Sequence, residues 1–184
     1  MLEPALRADA RRNLDRILDA AAEVFAELGP DAPIDEIARR AGVGHGTVFR
    51  RFPTKDALRA AVLAARLEEM VAFAGELLER PDAGAAFDEF VMYAARCCRR
   101  DRTFFEGLER CGEQFPDVAR GKQELRDALN KLIRRARREG HVRREVDARD
   151  VGALVGAAIE ASMYTGRPDA WRRYVRIVLD GLRS

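Results

Sequence analysis

Residues 34–55 constrain this chain more than any other stretch. Ile34, Ile37 and Ala38 fall on one apolar stripe at helical spacing. Ala38 is small enough to let a second helix cross close by. Four residues on, Gly42 stands where the first helix must stop and where a positive φ is available. Val43 and Val48 supply the apolar contacts of a second short helix, expected over about 44–52. Pro53 breaks it, Thr54 is an N-cap candidate, and a long helix follows over about 55–79. A small residue, a glycine after three more residues and a branched apolar residue after five more make the spacing of a DNA-binding helix-turn-helix.

The flanks are helical too. Residues 1–9 read as a mobile arm, with a first helix starting near Asp9 or Ala10. Leu14, Ile17, Leu18, Ala21, Val24, Phe25 and Leu28 keep the rhythm of one buried face, and Gly29-Pro30 ends it. Asp31 or Ala32 caps the next helix, with Pro33 near its first turn. Beyond the long helix, 81–84 reads as a loop. Further helical patterns follow around Phe87–Cys98, around Phe104–Cys111 and over 117–139. Two more follow, from Asp147 to about Thr165 and around Trp171–Leu182. No strand-like alternation or internal repeat occurs, so the expected class is all-α, with about nine helices.

Charge does not identify a nucleic-acid binder by itself. The formal net charge is +2. Residues 1–59 hold ten basic and ten acidic side chains, so placement has to do what bulk charge does not. The bases cluster in the N-terminal arm and at Arg50, Arg51 and Lys55, while the acids concentrate in the second half of the first helix. The strongly basic stretch 117–139, with Arg126, Lys131, Arg134, Arg135, Arg137 and Arg138, reads as a solvated face favoured by the helix dipole near its C-terminus.

No export signal or membrane span is expected. Residues 1–10 lack an apolar core segment, and the apolar run 151–159 ends at Glu160. The odd cysteine count, Cys97, Cys98 and Cys111, suits reduced thiols in the cytoplasm. No spacing suits a metal site, and no cofactor is expected. With no nucleophile elbow, metal cluster or phosphate loop, an enzyme is not expected either.

The run Ala41, Gly42, Val43, Gly46, Thr47, Val48, Phe49, Phe52, Pro53, Lys55 and Leu58 closely resembles the N-terminal domain of TetR/AcrR-type transcriptional regulators. Arg12, Ile17, Ala21, Phe25 and Gly29 extend the likeness backwards, so about 10–62 carries it. The resemblance implies a helix-turn-helix DNA-binding domain over 1–60 and a helical effector-binding and dimerisation domain over 61–184. It places base or phosphate contacts at Gly44, His45, Thr47, Phe49 and Arg50. The residues agree: Gly44 and Gly46 allow close backbone approach, His45 can reach base edges, and the Thr47 hydroxyl suits a phosphate. Lys55 lies at a helix N-terminus, a natural phosphate seat. Two departures remove hydroxyl groups the family commonly uses. Ala32-Pro33 stands where a Thr or Ser is usual, and Phe49 where Tyr is.

The resemblance further implies a homodimer on double-stranded DNA with a near-palindromic operator, formed through the last two helices. Gly152, Val155, Gly156, Ile159, Tyr174, Val178 and Leu182 are the candidate interface residues. It implies a small-molecule effector that releases a repressor from its operator. Phe73, Phe90, Tyr93, Cys97, Phe104, Phe105, Leu108, Cys111, Ile159 and Met163 are candidates for lining its pocket. A rival reading is a redox-responsive regulator using Cys97 or Cys98 with Cys111.

Overall fold

The computed structural model describes residues 3–100 and 114–184, with side chains from Asp9 onward. Its first helix, α1 (Glu3–Leu28), starts well before the point the sequence suggests. The arm read as mobile is therefore helical from Glu3. Ala5, Leu6, Arg7 and Ala8 are strong helix formers, and Pro4 is tolerated in a first turn. Gly29, with φ +84°, ends α1 and donates to the Phe25 carbonyl at 2.9 Å.

The helix α2 (Ile34–Ala41) begins one or two residues later than expected, with Pro33 itself at the N-cap and no side-chain cap. Asp35 and Glu36 in its first turn face the positive end of the helix dipole instead. Gly42 closes α2 in the left-handed conformation, φ 64° and ψ 35°. The Val43 N–H then reaches back to the Ala38 carbonyl at 3.1 Å, which satisfies a carbonyl the helix would leave unpaired. Next comes α3 (His45–Arg51), followed by α4 (Lys55–Leu78), whose start is capped by Thr54 Oγ1 accepting from the Ala57 N–H at 3.0 Å.

The first four helices share one core. Ile17, Ala21, Val24 and Phe25 of α1 meet Ile37, Ala38 and Ala41 of α2, Val48 of α3, and Leu58 and Val62 of α4. Val48 is completely buried, so it anchors α3 while its neighbours turn outward. Burial of one such branched side chain contributes about 1.5–3 kcal/mol.

Contacts divide the chain into two units. One takes in residues up to Arg66 together with 114–119, the other Leu67–Arg100 and Arg120–Ser184. The continuous helix α4 supplies residues to both. In the second unit, Leu67, Met70, Ala74 and Leu77 of α4 are buried. So are Phe87, Phe90 and Val91 of α5 (Ala83–Arg100), and Leu129, Leu132 and Ile133 of α6 (Pro116–Arg138). The helices α7 (Ala148–Met163) and α8 (Ala170–Leu182) complete it. Among the described residues there are eight helices. The helix expected around Phe104–Cys111 lies outside them.

Local signals set the ends of these helices. Asp82 accepts from the Ala85 N–H at 2.8 Å, so α5 starts at Ala83, inside the expected loop. Gly84 then packs directly beneath the His141 ring, where an added Cβ would come within 2.7 Å of Nδ1. Asp147 and Asp150 form a capping box at the start of α7. The basic stretch is not uniformly solvated. Arg135 turns inward and donates to the carbonyls of Leu78 and Arg80, covering the open end of α4, and Arg137 donates to the Val146 carbonyl at 2.6 Å. The chain end is tied down as well: the Arg143 N–H bonds the Leu182 carbonyl at 3.0 Å, and Arg183 reaches Asp88 at 2.9 Å.

Candidate nucleic-acid interface

The outer face of α3 follows from its anchoring. With Val48 held in the core, the helical period turns His45, Gly46, Phe49 and Arg50 outward, and all four are exposed. Gly44 is exposed at the N-cap with φ −70° and ψ 144°, and Thr47 is half-buried beside it. The Thr47 N–H donates to the Gly44 carbonyl at 2.8 Å, closing the first turn.

Gly46 is informative. It is the second residue of α3, in its first turn, and a Cβ added there would meet no atom of the described residues within 4 Å. The missing side chain leaves a smooth outer surface on α3, which suits close approach of another backbone.

The polar residues of this face are held in specific ways. His45 Nδ1 bonds the Asp35 carboxylate across the turn. The His45 ring also lies against Phe49, one turn along, with centroids 4.8 Å apart and planes at 31°. Phe49 remains 47% exposed, a large apolar ring on the surface with no hydroxyl. Arg50 Nη2 lies 3.5 Å from Thr47 Oγ1, at the limit of a hydrogen bond, so its charge stays available. Lys55 donates from Nζ to the Asp31 carbonyl at 2.9 Å, which holds the ammonium beside the loop before α2.

Other bases of the first unit are already committed. Glu36 accepts from Arg39 at 2.7 Å and from Arg40 at 2.9 Å, and Arg40 also reaches Glu27 of α1 at 2.5 Å. Bonding first from Arg39 and then from Arg40 pulls the Glu36 carboxyl down to about 2. Arg12 is paired with Asp9. Arg50 and Arg51 are exposed at the C-terminal end of α3, and Arg11 and Arg16 are exposed on α1, none of the four in an ion pair among the described residues. Sequence spacing could have shown the Glu36 commitments, because 36, 39 and 40 are neighbours on a helix surface. The Asp35–His45 contact carries no such local signal.

The second unit redistributes the residues expected to line a pocket. Phe73 and Tyr93 come together, with ring centroids 4.3 Å apart, and both are half-buried, as is Cys97. Phe90 and Ile159 belong to the packed core, while Met163 is 50% exposed and turned away from the unit's interior. Phe104, Phe105, Leu108 and Cys111 lie outside the described residues, so the cysteine partner invoked by the redox reading does too. A half-open hollow of about 480 Å³ lies elsewhere, in the turn before α8, lined by Arg167, Pro168, Asp169, Arg173 and Tyr174 among others.

The residues expected at a dimer interface divide between the interior and the surface of their own unit. Val155, Gly156, Ile159 and Leu182 are buried within their own unit, because the most apolar stripes of α7 and α8 pack on one another and on α5. Gly152 is exposed, and Tyr174 and Val178 are half-buried. The outward apolar residues are instead Leu154 and Tyr164, at 43% and 82% exposure, and Ile177 at 56%. Among the described residues, no helix is long and apolar enough to cross a membrane.

Residues 17–62 match the family of bacterial regulatory proteins of the tetR type, and 82–184 match an SbtR-like transcriptional regulator C-terminal domain. A solved TetR transcription regulatory protein from Mycobacterium vanbaalenii is 37% identical, with a TM-score of 0.72, over 97% of this chain and 99% of that one. The HTH-type transcriptional repressor Rv1474c of Mycobacterium tuberculosis is 30% identical over 94% of this chain and 80% of its own length. The uncharacterized HTH-type transcriptional regulator TtgW of Pseudomonas putida is 45% identical over 42% of this chain, and that match spans 54% of the relative's length.

Proposed function

The chain belongs to the TetR family of bacterial transcriptional regulators, and we propose that it is a homodimeric repressor that lays α3 into the major groove of a near-palindromic operator. The observation that carries this reading is the outer face of α3. Buried Val48 anchors the helix from behind, and unfilled space at Gly46 lets its front approach a surface closely. His45 then faces base edges, Phe49 meets sugar or a thymine methyl, and Thr47, Arg50 and Lys55 meet phosphates. The 1–60 segment is the DNA-binding domain, and 61–184 is the dimerisation and effector domain.

Dimerisation uses the outward faces of α7 and α8 around Leu154, Tyr164 and Ile177, where exposed apolar surface supports an interface. A small-molecule effector binds the second domain near the Phe73–Tyr93 pair and lowers operator affinity. Operator DNA then lowers effector affinity by the same factor.

Selection from a randomised duplex pool with the full-length protein tests the reading. The expected product is an inverted repeat whose half-site centres lie about 34–36 Å apart, or a multiple of that distance. A pool that stays random after repeated rounds would overturn sequence-specific binding.

A further inference from the structure

We propose that Asp35 is a positioning residue for base recognition: its carboxylate fixes which nitrogen of His45 faces the DNA. The inference rests on the operator-binding reading above and deepens it.

A carboxylate only accepts hydrogen bonds. His45 Nδ1 bonds the Asp35 carboxylate, so Nδ1 carries the hydrogen. In a neutral imidazole the other nitrogen, Nε2, is then a bare acceptor, because the bond made by one ring nitrogen sets the state of the other. Phe49 meanwhile packs on the ring and limits its rotation. One contact holds an edge of the ring and the other holds a face, so a neutral His45 keeps Nε2, the nitrogen away from Asp35, as a hydrogen-bond acceptor.

The major groove gives that nitrogen a restricted set of partners. Adenine N6 and cytosine N4 offer donors there, whereas guanine N7 and O6 offer only acceptors. A neutral His45 held this way selects an exocyclic amino group and rejects guanine. Without the carboxylate, the ring is free to turn or to carry its hydrogen on Nε2, and guanine becomes an acceptable partner. Asp35 is thereby a specificity residue that never has to touch a base.

A negative side chain next to phosphates opposes binding, and this gives the alternative explanation a distinct signature. If Asp35 acted only through charge, its neutralisation would tighten binding to every sequence alike. Acting through His45, it changes which base is preferred.

The test uses the full-length protein, the selected operator and duplexes altered one base pair at a time. Asp35→Asn is expected to relax discrimination at a single base-pair position, on the order of tenfold. His45→Ala should relax the same position, the double variant should add nothing further, and Asp35→Glu should restore part of the preference. The ring nitrogens provide a second readout, because the chain has only two histidines. His141 bonds Asp88 through Nε2, the opposite nitrogen, at 3.0 Å. Nitrogen NMR of the DNA-free protein should therefore show opposite tautomers, with hydrogen on Nδ1 of His45 and on Nε2 of His141. Asp35→Asn should shift only the His45 pattern.

A uniform gain in affinity with unchanged preference overturns the inference, and so does a preference change that persists in the His45→Ala background. Hydrogen found on Nε2 of neutral His45 overturns it as well. If Asp35→Asn has no effect while His45→Ala shifts preference, this inference alone fails. If His45→Ala itself leaves preference unchanged, base reading by His45 falls and takes the inference with it.

Discussion

Lys55, in the first turn of α4, donates from Nζ to the backbone carbonyl of Asp31 in the loop before α2, at 2.9 Å. One ammonium thus ties together two of the segments that flank the recognition helix, and it keeps two further N–H groups for an incoming phosphate. Lys55→Ala should weaken binding to all sequences about equally and lower the slope of log affinity against log salt by about 0.9. Anisotropy titrations at several salt concentrations measure both. A slope unchanged within error would place Lys55 away from phosphate.

Phe49 offers the opposite experiment. Its ring is exposed and already placed on the outer face of α3, lacking only a hydroxyl. Phe49→Tyr should tighten operator binding about tenfold, the order expected of a hydrogen bond to a charged oxygen. The gain should be similar for operator variants, because a phosphate contact carries no base information. Parallel titrations against the selected operator and a scrambled duplex would show whether it is.

Gly42 should resist substitution. At φ 64° it occupies a conformation that an L side chain adopts at a cost of about 1–2 kcal/mol, although the surrounding space is open, with Arg16 Nη1 3.7 Å from an added Cβ. Gly42→Ala should destabilise the first unit by about that amount, and Gly42→Asn by less, since Asn tolerates this conformation. Urea unfolding of the three proteins checks the order.

Low pH should loosen the cluster that Glu36 forms with Arg39 and Arg40 on α2. Glu36 is pulled from its ordinary 4.5 to about 2 by Arg39 and Arg40. A lowered folded value means that the native state binds fewer protons than the unfolded one. The stabilisation is therefore fully present above about pH 4.5 and is lost as pH falls toward about 2. In Glu36→Gln, stability should depend less steeply on pH across that window. Equal slopes in urea unfolding series would rule out the assignment.

Exposed apolar side chains on α7 and α8 give a test of assembly. Leu154→Glu combined with Ile177→Glu should convert a dimer to a monomer by sedimentation, while the helical circular dichroism stays the same. Operator affinity should fall at least about tenfold with the loss of the second half-site. A double variant that stays dimeric would move the interface elsewhere.

What could be read from sequence follows the range of each interaction. The stop at Gly42, the caps at Thr54 and Asp147 and the inward Val48 are local, decided within a turn or two of chain. The helices α1 and α5 start earlier than the pattern suggests, because a Pro or Gly reads as a breaker until the first turn that accommodates it is known. The face of α7 was a different problem. Gly152 and Gly156 share a stripe in the pattern, yet one is exposed and the other buried, since α5 and α8 decide which side is interior. Met163 ended on the surface for the same reason. The Asp35–His45 bond spans the helix-turn-helix turn, and only the folded crossing of α2 and α3 brings its partners together.

The shortness of α3 limits how much an operator can say to this protein. Seven residues make a rod of about 10 Å, which faces about three base pairs at ~3.4 Å each. Three pairs have about 64 spellings, against on the order of 10⁶ competing positions in a genome. Two such words at a fixed separation, as the proposed dimer would read them, have about 4,000 spellings, still too few for a unique address. The remaining information has to come from the spacing of the words and from the stiffness and groove width of the DNA between them. Base pairs that no side chain touches should therefore discriminate between promoters as strongly as those beneath His45.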